Sequence, residues 1–72
     1  MSYKQVTFRC VDKSGVLDPI EETFHLDELG WLPGQSIAAT NRFCEAALER
    51  WISINELDVL DRDLYKITYF LE

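Results

Sequence analysis

Seventy-two residues, 47% of them hydrophobic, are enough for one small domain with a core and leave no room for a second. Thirteen acidic against seven basic residues give a formal charge of −6, and a negative chain repels nucleic-acid phosphates and anionic lipid unless its cations cluster, which here they do not. A chain this short keeps little stability in reserve for a large catalytic cleft, and with only three glycines and two prolines it does not read as disordered.

The stretch Met1 to Val6 carries no apolar run or small-residue cleavage site, so no secretory signal is expected. The short apolar runs fall far below a membrane span. From Gln5 to Val11 the residues alternate, with Val6, Phe8 and Cys10 on one face and Gln5, Thr7 and Arg9 on the other, which predicts a half-buried strand. Asp12 to Gly15 is turn chemistry. A second alternating stretch, from Ile20 to Leu26, sets Ile20, Phe24 and Leu26 against Glu21, Thr23 and His25. Glu22 interrupts its apolar face, as expected of a strand near an exposed edge.

Residues 27–35 form a Gly- and Pro-marked connector. Ser36 can then cap a helix running from Ile37 to about Asn55, although Thr40 and Asn41 could cap it as well. Its stripe is Ile37, Cys44, Leu48 and Trp51, widened by Thr40, Ala47 and Ile52, with Arg42, Glu45, Glu49 and Ser53 opposite. An acidic connector from Glu56 to Asp63 follows, with Leu57, Val59 and Leu60 free to tuck beneath it or extend the helix. Leu64 to Glu72 reads as a final strand, Tyr65, Ile67, Tyr69 and Leu71 alternating with Lys66, Thr68 and Phe70.

The order β-β-α-β predicts a single α+β domain: a three-stranded antiparallel sheet of order 2-1-3 with one helix packed on one face. Val6, Phe8, Cys10, Phe24, Leu26, Tyr65, Ile67 and Tyr69 should face Ile37, Leu48 and Trp51, and the polar residues should face water. Both outer strands leave an edge open. The C-terminal one, with Lys66, Thr68 and Phe70 on its outward face, is a candidate for pairing with a second copy or another protein.

Catalytic chemistry is hard to assemble from these residues. The lone histidine, His25, falls on the polar face, away from Cys10 and Cys44, so no nucleophile meets a base. The two distant cysteines read as small buried hydrophobes in a reducing cytoplasm, and neither zinc spacing, a calcium loop nor a phosphate-binding glycine motif is present. No cofactor, no metal, no membrane and no direct nucleic-acid partner is expected. RNA-binding sheets stack bases on exposed aromatics among cations. Here the open face offers Thr7, Thr23 and Thr68, with Arg9 and Lys66 offset by Glu21, and Phe8, Phe24, Tyr65 and Tyr69 belong to the other face.

Two features point to a protein partner. Glu45 and Glu49, one turn apart on the helix, and Glu56, Asp58, Asp61 and Asp63 beyond it could form a negative patch that docks a basic surface; the plainer reading is a solvated face. Trp31, in a Gly-Trp-Leu-Pro-Gly connector, is either a binding anchor or a lid over the core. The expectation is a small acidic, non-enzymatic inhibitor or adaptor that binds a larger, basic, nucleic-acid-handling protein. Phages and mobile elements encode inhibitors of this physical kind, blockers of CRISPR complexes among them. The alternative is an assembly subunit that dimerises through the C-terminal strand.

Overall fold

The computed structural model describes residues 3–31 and 34–72. β1 (Gln5–Asp12) buries Val6, Phe8 and Cys10 on one face, as its alternation requires. It ends where the Asp12 carboxylate accepts from the Ser14 N–H at 3.0 Å and the Ser14 hydroxyl at 2.8 Å, a local bond that competes with strand continuation. Gly15 supplies the left-handed residue of this turn, with φ of 75°. β2 (Ile20–His25) returns antiparallel, placing Phe24 opposite Val6, Glu22 opposite Phe8, Thr23 opposite Thr7 and Glu21 opposite Arg9.

Past β2 the chain coils back, the Leu26 carbonyl accepting from the N–H groups of Leu29 and Trp31 at 3.1 and 3.0 Å. α1 (Ile37–Ile54) starts at Ser36, whose hydroxyl accepts from the Ala39 N–H at 3.1 Å. Thr40 does not cap. It is buried, and its hydroxyl donates to the Ser36 carbonyl at 2.8 Å. The helix stops where Asn55 turns its N–H and side-chain amide onto the Trp51 carbonyl, at 3.1 and 2.8 Å, and Glu56 adopts a left-handed φ of 58°. A 3-10 turn, Leu57–Val59, then leads to β3 (Tyr65–Leu71), which pairs antiparallel with the other edge of β1.

The sheet order is therefore β2-β1-β3, one open antiparallel sheet with one helix, the α+β arrangement expected. Val6, Phe8, Cys10 and Leu26 from the sheet side meet Cys44, Ala47, Trp51 and Ile52 of α1, with Leu57 closing one end. The Phe8 ring lies 5.7 Å from that of Phe24 and 5.6 Å from that of Trp51, within the range of favourable aromatic pairs. Both cysteines are free and buried.

Two placements, those of Ile37 and Thr7, differ from expectation. Ile37 lies on the inner stripe but is 72% exposed, in the first turn of the helix, ahead of the buried residues that begin at Thr40. Ile20, at the start of the edge strand, is exposed as expected, and the backbone of α1 comes close to β1 and β3 but not to β2. Thr7, on the face expected to be wet, is buried between Thr23 and Phe70, and its hydroxyl shares a hydrogen bond with that of Thr23 at 2.8 Å.

Candidate interaction surfaces

Antiparallel connectivity brings the start of β3, the end of β1 and the start of β2 to one end of the molecule. Two hydrogen bonds fasten that end: the Lys13 N–H donates to the Leu64 carbonyl at 3.0 Å and Lys13 Nζ to the Arg62 carbonyl at 3.2 Å. Glu56, Asp58, Asp61 and Asp63 all lie here, exposed, on the one connector. The Asp61 carboxylate accepts from the Asp63 N–H at 2.9 Å, so the connector is an ordered turn. Five of the nine large hydrophobics exposed among the described residues, namely Val16, Leu17, Ile20, Val59 and Leu64, lie in the β1–β2 turn, at the start of β2 or on this connector. Val16 and Val59 are each about 80% exposed, at 81% and 82%.

Glu45 and Glu49 are exposed too, but they sit back along α1 rather than on this end. Glu45 belongs to the β3 side of the helix. Burial, and then the Glu45 charge, raise Tyr69 above its ordinary value, and the Tyr69 hydroxyl donates to Asn41 Oδ1 at 3.0 Å. Trp31 is half-buried with its ring 4.8 Å from that of Phe43, so it caps the helix N-terminal half. It also lines a cavity of about 280 Å³ with Tyr3, Lys4, His25, Leu26 and Asp27. Lys66 and Phe70 are exposed and Thr68 half-buried on the outer sheet face, where Phe70 stands opposite Thr7 and Thr68 opposite Arg9. Arg9 Nε lies 3.2 Å from Glu21 Oε2, an ion pair half in solvent and of small energetic weight.

The thiols are poorly placed for chemistry. Burial raises both Cys10 and Cys44 above the ordinary thiol value, only partly offset at Cys10 by Arg62, which keeps them protonated at neutral pH. Among the described residues no three His, Cys, Asp or Glu side chains gather as metal ligands would, and no helix is long and apolar enough to cross a membrane.

One surface went unread in the sequence. Between α1 and β2 runs a groove of about 300 Å³, lined by Phe24, Leu29, Ala47, Arg50, Trp51 and Ile54, with Phe8 behind them. Its signal was present in the helical spacing of Ala47, Arg50, Trp51 and Ile54, in which Arg50 and Ile54 extend the core stripe to one side. Glu22, the residue that interrupts the apolar face of β2, accepts from Trp51 Nε1 at 2.9 Å. Comparison of the chain with protein-family models, with curated proteins and with solved structures finds no match.

Proposed function

We propose that this protein is a small, non-enzymatic interaction module, an inhibitor or adaptor that docks its acidic, apolar-studded end onto a basic surface of a larger protein. A nucleic-acid-handling protein offers such a surface. The observation that carries the reading is the mixture of five exposed hydrophobics with Glu56, Asp58, Asp61 and Asp63 at one end of the molecule. The two components divide the work of binding. Carboxylates accelerate encounter with a cationic partner and exclude anionic ones, while the aliphatic side chains supply the area whose burial holds the complex. No catalytic role enters this reading, because the thiols are buried and protonated and His25 stands exposed on the edge strand.

Reversal of Glu56, Asp58, Asp61 and Asp63 to lysine, and separately Val59→Ser with Leu64→Ser, should each abolish capture of basic, nucleic-acid-binding proteins from a native lysate. Both variants should still melt cooperatively, since every substituted side chain is exposed. Capture that survives the charge reversal would overturn the proposal.

A second reading is self-association through β3, which has no proline or bulge and carries Lys66 as its only charge. A two-fold axis through Thr68 would set Lys66 of one copy against Phe70 of the other and bring no like charges together. Sedimentation equilibrium at micromolar concentration separates the two: a symmetric dimer supports this reading and a monomer removes it.

A further inference from the structure

An α-helix is about 10 Å across and strands lie about 4.8 Å apart, so one helix covers two strands and leaves a third bare. Here the covered pair is β1 and β3, and the bare strand is β2, an edge. Along β2 only Phe24 is even half-buried. The Leu26 N–H donates to the Lys4 carbonyl at 2.9 Å, which fixes the alternation of the ladder. Even-numbered residues of β2 therefore bond to β1, and the backbone of Glu21 and Thr23 and the N–H of His25 point to the open side.

We propose that β2 receives an extended segment of a partner polypeptide as an antiparallel fourth strand, with an apolar residue over Phe24 and a lysine or arginine two positions later over Glu22. Backbone bonds along the edge give such a strand its affinity, and its alternate side chains give it specificity. Every second side chain of the added strand would point into the groove, where Phe24, Leu29, Ala47 and Ile54 offer an apolar wall. Phe24 and Glu22 are consecutive residues of the same face of β2, so the residues opposite them are also two apart. Glu22 is exposed, and one of its oxygens is held toward the groove by Trp51 Nε1 at 2.9 Å while the other stays free for a cation. Its neighbour Glu21 is already paired with Arg9. Arg50, on α1, is the only cation among the groove's lining residues. This surface is distinct from the acidic end, and the two proposals stand or fall separately.

The probe is a blocked eight-residue peptide of threonines carrying Leu-Thr-Lys at its centre, titrated into isotope-labelled protein and followed by NMR. The amide resonances of Glu21, Thr23 and His25 and the Trp51 indole resonance should move together. The same peptide with Leu-Thr-Glu or Ser-Thr-Lys should bind about tenfold more weakly or worse. Thr23→Pro should weaken binding to a similar degree, because it deletes an outward N–H and a proline is tolerated on an open edge. Ile54→Glu, which alters a side chain 79% exposed, keeps the test clear of folding defects. The four-lysine variant of the acidic end should still bind the peptide. Unmoved β2 resonances, movement at Ile67 and Tyr69 instead, equal affinity for the Leu-Thr-Glu peptide, or loss of binding in the four-lysine variant would each overturn the proposal.

Discussion

Glu22 and Trp51 show how one polar contact reconciles a charged residue with an apolar face. The indole N–H is a donor with no partner elsewhere in the core, and the carboxylate 2.9 Å away satisfies it at the rim of the groove. Trp51→Phe keeps the ring contact with Phe8 but deletes the donor, and should cost about 1 kcal/mol in urea denaturation. Glu22→Gln should cost less, since an amide oxygen can still accept. The alternation along β2 made Glu22 legible as an interruption, yet its partner was not legible, because nothing local fixes which helix residue lies above it. Ile37 shows the converse. Its angle on the helix is inward, but angle alone does not reveal that the buried part of the helix begins only at Thr40. For Trp31 the connector gave no periodicity at all, and only the packed position of Phe43 shows where its ring rests.

At the scale of elements, each strand announced itself by a period of two, and the helix by its apolar stripe and freedom from glycine and proline. Of the competing caps, Ser36 prevails because Thr40 is needed inside the core. Ser36→Ala should cost about 1 kcal/mol and fray the first turn, seen as a lower melting midpoint by circular dichroism with native helix content retained below it. The connector between α1 and β3 was less readable. A three-residue 3-10 turn sends adjacent side chains in unrelated directions, so Leu57 is buried while Val59, two residues on, is 82% exposed. The acidic residues there were visible as a run, but the aliphatics that join them from the β1–β2 loop come from the far end of the chain and depend on the β1–β3 pairing.

For the whole molecule, the offset of the helix makes the two halves of the sheet unequal. β1 is clamped to β3 beneath α1, whereas β2 is held by one ladder and by the side chains of Phe24 and Glu22. Within β1 the ladder alternates: Gln5 exchanges backbone bonds with Glu72 on the β3 side, while the Lys4 carbonyl serves β2. Neighbouring amides of this single strand consequently answer to different breathing motions. Peeling β2 away frees the hydrogens of Val6, Phe8 and Cys10, and those of Thr7, Arg9 and Val11 wait for the domain to come apart. In deuterated water the central strand should therefore lose its protons in a staggered comb, even positions first, and uniform rates along it would mean that the sheet opens as one body.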